Sequence, residues 1–330
     1  MTALPDPKAH LTMEEAHRTF ARILDAEVSE EAIEHYLSAL SDRSETAEEI
    51  AGAAQALRER LIPVDAPDNA IDVCGTGGDG HHTLNVSTAV SLVVAACGIP
   101  VAKHGNRAAS SKAGAADTLE ELGLDMGRAG ATAERSLAQI GICFLFAANH
   151  HPAMRRIQPI RKRIGKRTIF NLMGPLSNPA RVKRQLIGIA RPAYVPIYAE
   201  AKAQLGTERT LIVSGDEGLD ELSLDGGNEV ARVEGNSFEM QRLSAAELDL
   251  PRAPVEAIRG GTAKQNAATL MALLDGAPGA YRDAVVFNAA ASLLVAEIGA
   301  DWTERRQIAE EAIDSGKAKQ FLADWIAFTA

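Results

Sequence analysis

Short apolar runs alternate with longer amphipathic stretches over most of the chain after residue 70. Five of these runs end at polar or glycine-rich segments, which predicts strands joined by helices. Such alternation is typical of a mostly parallel sheet with helices on both faces. The predicted strands are Ala70–Cys74, Ile99–Ala102, Ile142–Phe146, Gln185–Ile189 and Thr210–Val213.

The first 65 residues carry helix signals and no strand signal. Thr12 with Glu15, and Thr46 with Glu49, match the capping box that starts a helix. Apolar residues then recur at helical spacing along one face. We therefore expect an α/β protein with a small helical domain over residues 1–66 and a larger α/β domain over residues 67–330. The apolar face is marked by Ile50, Ala54, Leu57 and Leu61.

A glycine-rich segment follows the first predicted strand, with the sequence Gly-Thr-Gly-Gly-Asp-Gly over residues 75–80. Glycine adopts backbone angles that other residues avoid, so successive N–H groups can turn toward an anion. Asp79 has a clear purpose in an anion site only if a metal or a sugar hydroxyl is also bound there. The segment therefore predicts a site for a phosphorylated ligand, with neutral donors added by Thr76, Asn85, Ser87 and Thr88.

The same segment matches the dinucleotide-binding pattern at Gly75, Gly77 and Gly80, but its context does not fit. That site needs a helix starting at the turn and an acidic residue about 20 residues later. Here the next strand leads into Lys-His-Gly-Asn-Arg over residues 103–107. Its two cations suit phosphate rather than a ribose diol, so we expect them to complement the glycine segment across adjacent strand ends.

Size, charge and composition argue against several classes of protein. A chain of 330 residues with 46% hydrophobic content can bury a large core, and two lobes are expected at this size. The formal charge of −10 argues against a nucleic-acid surface. No apolar run has the length of a membrane span, and the first twenty residues lack a signal-peptide pattern, so we expect a cytoplasmic protein. Cys74, Cys97 and Cys143 have no metal-binding spacing and are expected to be buried thiols.

The order of these motifs resembles the anthranilate phosphoribosyltransferases, the second enzymes of tryptophan biosynthesis. The resemblance continues through Arg-Thr-Ile-Phe-Asn-Leu at residues 167–172, Gly-Pro-Leu at 174–176 and Gly-Leu-Asp-Glu at 218–221. It implies transfer of the phosphoribosyl group of 5-phosphoribosyl 1-pyrophosphate (PRPP) to the amine of anthranilate, with release of pyrophosphate. Family members often carry serine where this chain has Ala113 and Ala115.

The resemblance also implies where each ligand binds. No general acid or base is assigned, because the aniline nitrogen of anthranilate already carries a lone pair at neutral pH. Magnesium, expected as two ions per subunit, would be held by Ser87, Asp220 and Glu221. Anthranilate would be bound by Gly75, His104, Asn106, His151 and Arg161. PRPP would be bound by Gly75, Thr76, Gly77, Gly78, Asp79, Thr83, Asn85, Ser87, Thr88, Lys103, Asn106, Arg107, Ser110 and Ser111.

Two of these assignments have a plainer alternative. Asp220 and Glu221 are hard carboxylates suited to magnesium, but other acidic residues nearby allow a solvated acidic loop instead. Arg161 can grip a carboxylate with two bonds, yet it lies among four other cations that suit a solvated helix face.

Other functions and the assembly also remain open from sequence alone. A pyrimidine nucleoside phosphorylase would share two lobes, but it typically carries Lys-x-Ser where this chain has Lys-His-Gly at 103–105. A nucleic-acid-binding protein of the same fold would need a basic groove. The resemblance implies that part of residues 165–182 joins the helical domain near a hinge. It also implies a homodimer formed through that domain.

Overall fold

The computed structural model describes residues 3–107 and 112–330. Its first three helices precede any strand and form a helical lobe: α1 (Met13–Leu24), α2 (Glu30–Arg43) and α3 (Ala47–Arg58). The Thr12 and Thr46 side chains accept bonds from the third residues of α1 and α3, whose glutamates bond back to the capping residues. Both capping boxes expected from the sequence are therefore confirmed.

One seven-stranded sheet forms the centre of the rest of the chain, in the order β3-β2-β1-β4-β5-β6-β7. The first five strands run parallel, and β6 and β7 add an antiparallel hairpin at one edge. The carboxyl ends of β1 to β5 therefore meet at one edge of the sheet. The strands are β1 (Ile71–Gly75), β2 (Val101–Gly105), β3 (Ile142–Phe146), β4 (Arg184–Gly188), β5 (Thr207–Gly215), β6 (Gly227–Gly235) and β7 (Ser237–Ser244).

Helices cover both faces of this sheet, which confirms the expected α/β class. Short 3-10 turns connect several of them. The helices are α4 (Val86–Ala96), α5 (Ala115–Glu121), α6 (Met126–Ala131), α7 (Ala133–Gln139), α8 (Ala147–His150), α9 (Met154–Ile164), α10 (Met173–Leu176), α11 (Val195–Leu205), α12 (Ala263–Leu274), α13 (Ala280–Val295), α14 (Trp302–Asp314) and α15 (Lys317–Thr329).

Two large hydrophobic clusters lie on opposite faces of the sheet. One unites β1 to β6 with α4 and α13. The other joins the opposite face to the helical lobe, α9, α11 and the segment 169–176. In that segment the Phe170 ring meets Phe20 of α1 edge to face, with centroids 5.8 Å apart. The segment therefore packs with the helical lobe, although the domain boundary at residues 66 and 67 stays a prediction.

Within the described ranges, no helix combines the length and apolar character needed to cross a membrane. Cys74 and Cys143 are buried and Cys97 is partly buried, and all three are free thiols.

Candidate active site

The glycine loop, residues 75–80, begins where β1 ends. Gly77, Gly78 and Gly80 have φ angles of +67°, +77° and +82°, and no atom lies within 4 Å of the position a Cβ would occupy on any of them. Their backbone is therefore open to a ligand. Gly75 differs, because a Cβ there would collide with the Asp220 carboxylate.

The acid loop, residues 216–221, crosses the glycine loop at that point. The Gly77 N–H donates to Asp220 Oδ2 over 2.7 Å, and the Ser87 N–H donates to Glu221 Oε1 over 3.2 Å. A side chain at Gly188, the last residue of β4, would collide with the Asp220 backbone. Glycine at positions 75 and 188 thus lets the acid loop lie across the ends of β1 and β4, beside the start of α4.

Charge at this junction is poorly compensated. Loss of solvent and the negative charge of Asp79 raise the pKa of Asp220 to about 7. Burial and the charge of Asp220 raise the pKa of Glu221 above its usual range. A bound cation would relieve this repulsion.

The donor set of the acid loop fits magnesium. No three His, Cys, Asp or Glu side chains in the described part of the chain form a complete metal cage. Magnesium does not require one, because it typically binds through one or two carboxylates, waters and substrate phosphates. Asp220 and Glu221 provide carboxylates of this kind, and the Ser87 backbone bonds to Glu221.

Lys103 lies within β2 rather than after it, one strand away from the glycine loop. Its ammonium is buried and donates to the Val73 carbonyl over 2.9 Å and to Ser87 Oγ over 3.2 Å. Burial lowers the pKa of Lys103, and Asp72, Cys74 and Glu221 oppose that effect. The cation therefore lies beneath the start of α4, close to the acid loop.

Four other residues expected to bind PRPP have structural partners or are enclosed. Thr76 Oγ1 accepts from the Ala190 N–H, and Thr83 forms a β-bridge with Arg259. Asn85 Oδ1 accepts from the Thr118 hydroxyl and the Asn266 amide. Thr88 is buried, and its hydroxyl has no hydrogen-bond partner among the described residues. Their contacts to PRPP stay predictions.

The residues after β2 that were expected to bind PRPP differ in their surroundings. Asn106 is exposed at the end of the strand. The Arg107 guanidinium pairs with Asp117 over 2.8 Å and with Glu120 over 2.5 Å. Binding of phosphate by Arg107 would therefore require it to exchange or share these acidic partners. Ser110 and Ser111, also expected to contact PRPP, lie outside the described residues.

A second site, the acceptor pocket, opens between the helical lobe and the ends of β2 and β3. Its walls are mostly apolar and include Leu57, Met154, Phe170 and Met173. Arg161 of α9 also lines it. The remaining lining residues are His104, Asn106, Ala147, Ala148, His151, Arg155, Gln158, Gly174 and Ser177.

Arg161 differs from two of its basic neighbours on α9, which have partners. Arg163 pairs with Glu30 and Glu34, and Arg156 donates to the Val28 carbonyl. The Arg161 guanidinium makes no hydrogen bond and no ion pair among the described residues, and burial lowers its pKa. A half-buried cation with no carboxylate partner, lining a pocket, is suited to an anionic ligand.

His104 and His151 form a pair within this pocket, with Nε2 atoms 3.2 Å apart. The Gly174 carbonyl can only accept, so His104 Nδ1 carries the hydrogen that spans 3.0 Å to it. His104 Nε2 then accepts from His151 Nε2–H. Burial is the main cause that lowers the pKa of His104 to about 4 and of His151 to about 3. The two rings are therefore neutral, with a fixed arrangement of hydrogens.

A buried network that the sequence did not indicate supports this pocket. Asp72 Oδ1 accepts from the His104 N–H over 3.1 Å, and Gln185 Nε2 donates to the Pro175 carbonyl over 2.8 Å. Gln185 also bonds to Asp72 and to the Lys202 ammonium. The network connects β1, β2 and β4 to the segment that carries Gly174. One sequence signal was available, because Asp72 and Gln185 are polar residues within predicted strands that are otherwise apolar.

Comparison with known protein families matches nearly the whole chain. Residues 7–61 match the helical bundle domain of a glycosyl transferase family, and residues 67–319 match its a/b domain. The chain is 71% identical over 326 residues to the anthranilate phosphoribosyltransferase of Erythrobacter litoralis, with 99% of each chain covered. It is 65% identical over 327 residues to that of Novosphingobium aromaticivorans, again covering 99% of each. The chain belongs to the anthranilate phosphoribosyltransferase family.

Solved structures of the family have the same architecture. The crystal structure of anthranilate phosphoribosyltransferase from Thermus thermophilus superposes with a TM-score of 0.90 at 41% identity, covering 98% of this chain and 97% of that one. The enzyme from Saccharomyces cerevisiae in complex with PRPP and Mg superposes with a TM-score of 0.87 at 29% identity, covering 97% and 93%. The resemblance drawn from the motifs is therefore confirmed.

Proposed function

We propose that this protein transfers the phosphoribosyl group of PRPP to the amine of anthranilate, giving N-(5-phosphoribosyl)anthranilate and pyrophosphate in tryptophan biosynthesis. One observation carries the proposal. An open glycine loop with an acidic, magnesium-compatible loop lies at the same sheet edge as an apolar pocket that contains an arginine with no acidic partner among the described residues. Phosphoribosyl transfer requires the two sites to adjoin, because the amine of anthranilate must reach C1 of the PRPP ribose.

The glycine loop and acid loop form the donor site in this proposal. Backbone N–H groups of the glycine loop bind the diphosphate, while Asp220, Glu221 and the Ser87 hydroxyl are the ligands for magnesium. When bound, magnesium neutralises charge on the pyrophosphate leaving group. Lys103 provides a positive charge beneath the start of α4, where it partly offsets the charge of Glu221. The number of ions, with two per subunit expected, stays a prediction.

The acceptor pocket orients anthranilate in this proposal. Arg161 binds the carboxylate, and the Met154, Phe170 and Met173 side chains pack against the aromatic ring. Low pKa values make the neutral His104–His151 pair a weak base, so the pair aligns the ring rather than removing a proton. Attack then depends on placing the neutral amine in line with C1 of the ribose.

The test is a fluorescence assay of anthranilate consumption by the purified chain. Consumption should require both PRPP and magnesium. Replacing PRPP by pyrophosphate or omitting magnesium should leave anthranilate unchanged. Consumption independent of PRPP would contradict the proposal.

The comparisons with known proteins do not support the two other functions considered from sequence. The matched relatives are named anthranilate phosphoribosyltransferases rather than nucleoside phosphorylases. A phosphorolysis assay with pyrimidine nucleosides should show no activity. Single-stranded DNA should not retain the protein, because salt-dependent retention would support the nucleic-acid alternative. A homodimer through the helical lobe and a cytoplasmic location stay predictions.

A further inference from the structure

Among the described residues, two hydrogen bonds reach the acid loop from the glycine loop and from the residue that follows it. At one, the Gly77 N–H donates to the Asp220 carboxylate over 2.7 Å. At the other, the His81 imidazole meets the Glu217 backbone carbonyl over 3.2 Å. A carbonyl can only accept, so Nε2 of His81 carries the hydrogen and donates. His81 lies one residue beyond the glycine loop.

The bond from Gly77 ends on the Asp220 carboxylate, which the proposed function assigns to magnesium. The bond from His81 ends on a backbone carbonyl that has no such role. A cation bound by the Asp220 carboxylate would draw charge from the oxygen that accepts from Gly77, so that bond would weaken. The Glu217 carbonyl has no such competing role. The bond from His81 can therefore persist when the acid loop binds a cation.

Both ends of the His81 bond are held by their own elements. The His81 N–H donates to Asp79 Oδ1 over 3.1 Å, and the next carbonyl, of His82, accepts from the Gly260 N–H over 2.8 Å. On the other side, Glu217 lies in a tight turn closed by the Gly218 N–H and the Gly215 carbonyl, 2.8 Å apart. The Glu217 carboxylate also accepts from the Ser223 hydroxyl. A bond between two such supported points sets the distance between the loops.

We propose that His81 is a positioning residue for the donor site: its imidazole bond to the Glu217 carbonyl holds the acid loop against the glycine loop while the carboxylates bind magnesium and PRPP. The inference rests on the proposed function. His81 would then act on PRPP binding through the acid loop, without contacting PRPP itself.

The test compares His81→Ala, which removes the donor, with His81→Gln, whose side-chain amide can place a hydrogen near the position of Nε2. His81→Phe keeps a ring without a donor, and it carries the test if His81→Ala does not fold. His82→Asn is the matched control. The His82 imidazole makes no hydrogen bond or ion pair among the described residues, and asparagine tolerates its φ of +54°.

His81→Ala and His81→Phe should raise the KM for PRPP by about two- to tenfold, the range expected from one neutral hydrogen bond. Calorimetry should show magnesium binding in the presence of PRPP weakened by a similar factor. The KM for anthranilate should change less than about twofold, and His81→Gln and His82→Asn should resemble the parent.

Three results would overturn the inference. These are unchanged PRPP and magnesium binding in both His81→Ala and His81→Phe, an equal rise in both Michaelis constants, or His81→Gln as impaired as the phenylalanine variant. A parent enzyme without activity dependent on PRPP would instead contradict the proposed function, so the two failures are distinguishable.

Discussion

The donor site and the acceptor pocket adjoin at the end of β2, but their polar groups differ in how far they are already paired within the protein. At the donor site, Asp220 and Glu221 lie close together with raised pKa values, and open glycine backbone faces the ligand. In the acceptor pocket, His104 and His151 are neutral and bonded to each other. The donor site is thus incomplete without a ligand, whereas the acceptor pocket is already formed.

This difference follows from the two substrates. PRPP brings several negative charges and needs a cation with it, so a site with excess carboxylate binds the donor only together with metal. Anthranilate brings one carboxylate on an apolar ring. A preformed apolar wall with one arginine is sufficient for it, and little has to rearrange when it binds.

The largest effect is expected from Asp220→Asn combined with Glu221→Gln. The two carboxylates are the proposed means of holding magnesium on the diphosphate, so turnover should fall by a factor on the order of 10³ or more. Loss of the crowded negative charge should leave the fold intact. Steady-state kinetics over a range of magnesium concentrations measures the loss, and circular dichroism checks the fold. Activity near that of the parent at saturating magnesium would show that the acid loop is not the metal site.

Arg161→Ala should break the acceptor side selectively. A hydrogen bond to a charged group contributes about 1.5–3 kcal/mol, so the KM for anthranilate should rise roughly ten- to a hundredfold. The KM for PRPP should change little, because Arg161 lies in the acceptor pocket. Turnover should also be less affected, since the carboxylate charge hardly changes on reaching the transition state.

A matched control for Arg161 lies on the same helix. Arg163 pairs with Glu30 and Glu34 on the surface, and Arg163→Ala should leave both Michaelis constants near those of the parent. Kinetics varying each substrate in turn compares the two variants. An equal loss in both, or a loss confined to PRPP, would remove Arg161 from the acceptor pocket.

Gly77→Val tests the open side of the donor site. The space at Gly77 is empty, so the variant should fold, but a branched residue is strained at φ +67° and would obstruct the diphosphate. PRPP affinity measured by calorimetry should weaken by roughly tenfold, from about 1–2 kcal/mol of strain and lost contact. Anthranilate affinity should be nearly unchanged. Unaltered PRPP affinity in a folded variant would exclude the glycine loop as the diphosphate site.

The contrast between the sites also explains which parts the sequence could predict. β1 to β5 are buried apolar runs, and periodicity located each within a few residues. β6 and β7 were not predicted, because β6 mixes polar with apolar residues and most residues of β7 are exposed and polar. Their signal was the two-residue Gly-Asn turn at positions 235 and 236, which joins β6 to β7 and is typical of a hairpin.

Some roles of the site residues could be inferred from local sequence, whereas others depend on contacts between distant segments. The glycine loop is local in sequence, so its backbone role could be inferred from its residues alone. Arg161 could not be separated from four neighbouring cations, because the acidic partners of Arg163 lie on α2, about 130 positions away in the sequence. The bond between His104 and His151 spans 47 residues and depends on the pairing of β2 with β3. Only the tertiary structure could reveal it.

The smallest effect concerns the neutral histidine pair and appears in stability rather than activity. The folded state holds the pKa of His104 near 4 and of His151 near 3, below the ordinary value of about 6.5 for an unfolded chain. The unfolded state therefore binds more protons. The pair's contribution to the free energy of unfolding is complete above pH 6.5 and declines as the pH falls toward 4.

Replacing His151 by phenylalanine removes one titrating group, so the slope of unfolding free energy against pH should become shallower by about 1 kcal/mol per pH unit in this window. Urea unfolding at several pH values measures the slope, with the exposed His10→Asn as a control expected to match the parent. Equal slopes for parent and His151→Phe would mean that His151 is not held neutral by the fold.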